Sequence, residues 1–154
     1  MILFPFEKVA EIDTGNPYTG FTSISGGEKF VDTVVKFPRH EVFVKSKKSL
    51  FPTSILSNGI MHVYYDENGC VVGIELMVPE LNQIGHSLTW NKMKITPEMI
   101  VDVAEFSKSS GLDYKNTGYG FDIPEIGLSY YSANFDDTMQ SKLDSVYINL
   151  KGAS

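Results

Sequence analysis

The chain has 154 residues, 42% apolar and 21% charged, with a net charge of −6 and a pI near 5.0. Those values exclude a disordered or fibrous chain and argue against a nucleic-acid binder, which needs a basic surface to displace counterions, but they permit a basic partner. The single cysteine excludes an internal disulfide and any thiolate metal cluster. The N-terminus lacks a cationic region followed by a long apolar one, and no run reaches membrane-spanning length, so the expectation is one cytoplasmic domain over residues 1–154.

In chain order, Ile2 to Phe6 is apolar and contains Pro5, which suits an edge strand. Residues 13–28 are loop-rich, with Gly15-Asn16-Pro17, Gly20 and Ser25-Gly26-Gly27. Phe30 to Phe37 alternates as a strand does, Pro38-Arg39-His40 turns the chain, and Glu41 to Lys45 alternates again. Ser46-Lys47-Lys48-Ser49 reads as a small basic turn, and Pro52 to Gly59 as a connection.

Residues 60–78 read as a hairpin around Asp66-Glu67-Asn68-Gly69. Asp bonds its own backbone to open a type I turn, and Gly takes the left-handed position. Cys70, Val72, Ile74, Leu76 and Val78 share an apolar face; Val71, Gly73, Glu75 and Met77 share the other. A bulge at Gly69, the register the turn favours, sends Tyr64 and His62 to the apolar face, whereas a two-residue loop sends Met61, Val63 and Tyr65 there.

Pro79 to His86 reads as irregular and Ser87 to Trp90 as a short strand. A helix is predicted over 97–110, with Thr96 as N-cap, Pro97 in the first turn, Met99, Ile100, Val103 and Phe106 as its apolar stripe, and Gly111-Leu112 as its stop. Residues 113–125 read as a polar connection, Ile126 to Ser132 as a strand, Ala133 to Asp144 as an acidic loop, and Ser145 to Leu150 as a closing strand. The predicted fold is α+β: a mostly antiparallel twisted sheet of six to seven strands with one main helix packed on it.

The chain carries no complete catalytic motif. Gly85-His86-Ser87-Leu88-Thr89 lacks the final glycine of a nucleophile elbow. His40, His62 and His86 are scattered, and Asp136-Asp137 near Asp144 lacks the oxygen spacing of a calcium loop, so no metal or other cofactor is expected. Gly118-Tyr119-Gly120 has Ile123 where a third glycine would complete a dinucleotide fingerprint. Among the carboxylates Glu75, Glu80, Asp122 and Glu125, only Glu75 lies mid-strand between apolar neighbours. Eight tyrosines suit either a protein-binding surface or ordinary strands.

The run Tyr64 to Glu75, then Gly120-Phe121-Asp122-Ile123-Pro124-Glu125-Ile126-Gly127-Leu128-Ser129-Tyr130-Tyr131, then an acidic gap and Asp144-Ser145-Val146-Tyr147-Ile148, resembles small bacterial immunity proteins of polymorphic-toxin systems, in particular those of contact-dependent growth inhibition. The similar portion is roughly residues 60–150, and it carries turns and strands rather than toxin-contacting residues. The resemblance implies a cytoplasmic, non-catalytic antitoxin that binds the C-terminal toxin domain of a large delivered effector, commonly a nuclease, and covers its active site.

Charge and loop position place the expected toxin contacts at Glu80, Asp122, Glu125, Asp136 and Asp137, with Tyr130 or Tyr131 as anchors. A small-molecule-binding or enzymatic domain with a pocket around Glu75, His62 and His86 is the alternative, and a domain that self-associates through strand edges is a third reading.

Overall fold

The computed structural model describes residues 1–44 and 51–152; the basic turn at Ser46–Ser49 and the end of the strand expected over Glu41–Lys45 lie outside the described residues. The elements are β1 (Ile2–Phe4), β2 (Lys8–Asp13), β3 (Phe21–Ser25), α1 (Phe30–Val34), β4 (His40–Phe43), β5 (Thr53–Leu56), β6 (Met61–Tyr65), β7 (Val71–Met77), α2 (Val78–Gln83), β8 (Thr89–Trp90), β9 (Met93–Lys94), α3 (Ile100–Ser109), β10 (Lys115–Asn116), β11 (Gly120–Ile123), β12 (Leu128–Tyr131) and β13 (Ser145–Asn149).

The α+β class and the mostly antiparallel pairing hold, but there are two sheets rather than one. A five-stranded sheet runs β3-β2-β1-β8-β9 and an eight-stranded sheet β10-β11-β12-β13-β7-β6-β5-β4. Among the described residues only β1 and β8 pair in parallel. The two sheets share one core: Leu3, Val9, Ile12 and Ile24 join Met61, Val63, Ile74, Leu76, Val146 and Ile148, with Ile100, Val103 and Ala104 of α3. No helix among the described residues is long and apolar enough to cross a membrane.

The hairpin β6–β7 corrects the favoured register. Its turn forms as expected: Gly69 N donates to Asp66 O (3.0 Å), Asp66 Oδ1 accepts from Asn68 N and Cys70 N, and Gly69 has φ 74°. A second irregularity then intervenes. Tyr65 pairs with Val71 but Tyr64 with Gly73, so Val72 is an extra residue. Two one-residue shifts cancel. Met61 and Val63 therefore oppose Leu76 and Ile74 in the core, and His62 and Tyr64 lie on the outer face with Glu75 and Gly73. The bulge is held from outside the hairpin. Val71 N donates to Glu28 O and its carbonyl accepts from Gly27 N (both 2.8 Å), while Val72 O accepts from Leu150 N (2.9 Å).

Other expectations also change. β1 is paired on both sides rather than at an edge, because the chain turns at Pro5 after the strand ends. Phe30 to Phe37 is not a strand: α1 starts at Phe30, and Thr33, Val34 and Phe37 are buried while Val31 and Val35 are exposed, which is a helical period. Glu28 fixes that helix locally, with one carboxylate oxygen accepting from Thr33 Oγ1 (2.7 Å) and the other paired with Lys36. Strand β3 forms within the stretch read as loop, and β5 within the stretch read as a connection. Residues 78–83 form α2, with Pro79 in the first turn and Gly85, at φ 74°, just past its end. Residues 113–125 hold β10 and β11.

The helix α3 starts later than expected. Its N-cap is Met99, without a side-chain cap, and Ile100 N donates to Ser141 O (3.0 Å). Thr96 is buried and its Oγ1 accepts from Leu88 N (3.2 Å). The stop is as expected. Gly111 N donates to Lys108 O (3.2 Å) and Leu112 N to Ser107 O (2.9 Å), and Gly111 has φ 70°. The buried face of α3 is Ile100, Val103, Ala104 and Ser107, and Phe106 meets Tyr130 edge-on.

Gly26 is where the exit of β3 meets the end of the chain. A Cβ there would stand 1.9 Å from the Leu150 carbonyl oxygen, a backbone atom that cannot swing aside. Gly26→Ala is therefore expected to lower stability by about 2 kcal/mol or more, seen as a lower urea midpoint with an unchanged slope. A midpoint equal to wild type would contradict this close approach.

Candidate functional site

The strand register gathers one end of the eight-stranded sheet. Gly120 faces Tyr131, Tyr131 faces Ser145, and Ser145 faces Met77. Just beyond that row, Ser132 N donates to Tyr119 O (2.8 Å), Asp144 N to Tyr131 O (2.9 Å) and Val78 N to Asp144 O (3.0 Å). The β10–β11 turn, the loop over 132–144 and the start of α2 thus meet at the same edge. Tyr119 and Tyr131 are both exposed there, with ring centroids 6.5 Å apart.

The acidic loop is built rather than slack. Ser132 Oγ donates to Lys142 O (2.6 Å) and lies 2.7 Å from Ser141 Oγ, and Phe135 packs edge-on against the buried Phe121. Asp136 Oδ1 accepts from the backbone and hydroxyl of Thr138 (2.9 and 2.5 Å), and those bonds hold its carboxyl below the ordinary range. Asp136 and Asp137 are exposed, as is Glu80 in the first turn of α2. Between Lys115 and Lys142 the chain carries Asp122, Glu125, Asp136 and Asp137 and no lysine, arginine or histidine. Local order comes from backbone bonds, so these carboxylates need no internal cation.

The expected contact residues are thereby sorted. Tyr131, Asp136, Asp137 and Glu80 come to one end of the sheet. Asp122 lies on the outer face, level with Ser129, two positions along β11 from Gly120. Glu125 follows Ile123 at the opposite end of β11. Tyr130 cannot be an anchor. It is 2% exposed, and its hydroxyl donates to Ile95 O (2.7 Å). Tyr119, which charge and loop position had not singled out, is the exposed ring beside Tyr131. The signal was the Asn116-Thr117-Gly118 turn that precedes it, in which Gly118 has φ 86°.

A second constellation lies on the outer sheet face. One cross-strand row runs Lys115, Asp122, Ser129, Tyr147, Glu75, His62, Ile55 and Glu41. In its middle, Glu75 Oε1 accepts from Tyr64 Oη (2.8 Å) and Oε2 from Ser145 Oγ (3.2 Å). Tyr64 and Tyr147 meet edge-on, 5.8 Å between centroids, and the Tyr147 ring fills the space that a side chain at Gly73 would need. His62 is level with Glu75, but His86 is elsewhere. It lines a cleft of about 860 Å³ that includes neither Glu75 nor His62. The three residues of the alternative pocket reading are therefore split between two places. Among the described residues, no group of three or more His, Cys, Asp or Glu is placed to hold a metal.

Burial is the main reason that Tyr64, Tyr65, Tyr130 and Tyr147 ionise above the ordinary phenol range, and the Glu75 carboxylate adds to the rise at Tyr64 and Tyr147. A pKa raised on folding gives stability that is complete below the unfolded value, about 10, and lost as pH climbs through the folded ones. Stability measured by urea between about pH 8 and about pH 11 is expected to stay level and then fall, and Tyr147→Phe is expected to make the fall shallower. A wild-type curve that stays level throughout would contradict this account. Compared with protein-family models, with curated proteins and with solved structures, the chain returned no match.

Proposed function

We propose that this chain is a non-catalytic inhibitor of the immunity-protein kind, which neutralises a cognate toxin domain by binding over its active site. The observation that carries the reading is the end of the eight-stranded sheet where the exposed Tyr119 and Tyr131 stand beside a braced acidic loop. The stretch supplying both has no cation from 116 to 141. Tyrosine offers rigid apolar area with a polar tip, as interface anchors do. Carboxylates around it, on a chain of net charge −6, favour a basic partner by speeding encounter and fixing register. The groove with which a nuclease holds phosphates is such a partner surface, which also accords with the resemblance over residues 60–150. The contact set in this reading is Tyr119, Tyr131, Asp136, Asp137 and Glu80, with Asp122 adjoining.

The test is to purify the tagged chain from its source organism and identify what accompanies it by mass spectrometry. The expected companion is a stoichiometric, basic C-terminal domain of a large exported protein whose toxicity this chain suppresses. Against that domain, Asp136→Lys with Asp137→Lys should slow association roughly tenfold or more at low salt, with the gap closing as salt rises. Tyr131→Ala should weaken binding by about 2 kcal/mol, mostly through faster dissociation. All three positions are exposed and only Asp136 gives up internal bonds, those from Thr138, so unfolding free energies should stay within about 1 kcal/mol of wild type. Charge-reversed protein that protects at full affinity would refute this surface.

A further inference from the structure

We propose that the cleft holding His86 binds a small zwitterionic, partly apolar ligand of the size of an apolar dipeptide. This stands apart from the inhibitor reading and uses none of its contact residues. The cleft, about 860 Å³, is walled by the β2–β3 loop, the turn at Ser57–Gly59 and the α2–β8 loop, a volume within the range of small-molecule sites, about 300–1,000 Å³.

Its lining gives the ligand class. Ile12, Ile60, Met61 and Leu81 are buried core residues that also line the cleft, while Phe21 and Ile84 line it at 66% and 53% exposure. An occupant with an apolar body would take both of those side chains out of water. The charged groups come in opposite signs from different elements. Glu11 and Asp13 come from β2, Arg39 from the connection after α1, and the Met1 ammonium, which feels the charge of Glu11 and donates to Ser87 O (3.0 Å), from the first residue. Among the described residues neither Glu11 nor Arg39 closes a direct salt bridge, though the Met1 ammonium is near enough to Glu11 for its charge to be felt. A ligand of one sign would match one set and leave the other facing like charge, whereas a ligand with an ammonium and a carboxylate can set its ammonium toward Glu11 and Asp13 and its carboxylate toward Arg39 and the Met1 ammonium.

The backbone points to the same place. Glu11, Ser57 and Asn58 line the cleft with φ of 59°, 54° and 56°, in the left-handed region that costs a side-chain-bearing residue energy. Glu11 sits where the β2–β3 register shifts between Val9 and Ile12, so the bulge sets the position of that carboxylate. Phe6, Asn91, Lys92 and Met139 adopt the same region away from the cleft, so it is the bulge at Glu11, rather than positive φ alone, that bears on this site.

Calorimetry on the full chain with leucyl-leucine, its N-acetyl form and its C-terminal amide tests this. The expected result is saturable binding of leucyl-leucine, with each capped form roughly tenfold weaker or more. Glu11→Gln should erase the preference for the free amine, and Arg39→Ala the preference for the free carboxylate. The capped forms probe wild-type protein, so that arm needs no variant to fold. No saturable binding of any of the three, or capped forms that bind as well as the free dipeptide, would overturn the proposal. Failure here leaves the inhibitor reading untouched, because the toxin-contact variants lie on other elements.

Discussion

The extra residue at Val72 decides how the rest of the molecule is assembled. A hairpin closed by Asp66 to Gly69 alone would send His62 and Tyr64 inward and expose Met61 and Val63. The second shift restores the apolar set to the core. A bulge leaves backbone groups without ladder partners, and an unpaired buried N–H or C=O costs as much as a lost hydrogen bond. Here the exit of β3 supplies Gly27 N and Glu28 O, and the end of β13 supplies Leu150 N. One irregularity thus ties the five-stranded sheet, the hairpin and the C-terminal strand together, and Gly26 lets the backbones approach closely enough to do so.

That same register creates two different surfaces. With β7 paired to β13 and β13 to β12, the Met77, Ser145 and Tyr131 ends of three strands finish level. The loops leaving them, together with the Tyr119 turn, are forced into one patch. The outer face behind that patch carries Glu75, fixed by hydroxyls from two strands. Because Tyr64 and Tyr147 keep their protons well above neutral pH, that face holds its carboxylate among neutral hydroxyls. The cleft with Glu11, Arg39 and His86 is built instead from loops of both sheets. The acidic, aromatic edge proposed for a macromolecular partner and the cleft proposed for a small ligand therefore lie at different places in the fold.

Local chemistry was legible where it acted locally. Asp66 and Gly69 announce their turn, Gly111 and Leu112 announce the end of α3, and Val146, Ile148 and Leu150 announce the face of the last strand. What failed depended on distant partners. Thr96 has every feature of an N-cap, yet its hydroxyl is taken by Leu88 N and the helix is started by Ser141. Phe30 to Phe37 is apolar at so many positions that strand and helix patterns both fit, and Glu28 tips the balance through Thr33 and Lys36. Pro79 and Gly85 did mark α2 in the sequence, as the early-proline, late-glycine pattern of a helix. The acidic edge was half visible. Asp136 and Asp137 show in any reading of charge, but choosing Tyr131 over Tyr130 requires knowing which face of β12 looks inward. Surroundings such as those of Glu75 are not local at all, since Ser145 lies 70 residues away.

The most direct measurement is hydrogen exchange of the chain alone and in complex with the partner domain that the proposed purification is expected to recover. The account predicts new protection at the β10–β11 turn around Tyr119, through the loop over 132–144, and at the start of α2, with the cleft loops unchanged. Protection confined to the β2–β3 and α2–β8 loops, with none at the acidic edge, would contradict it.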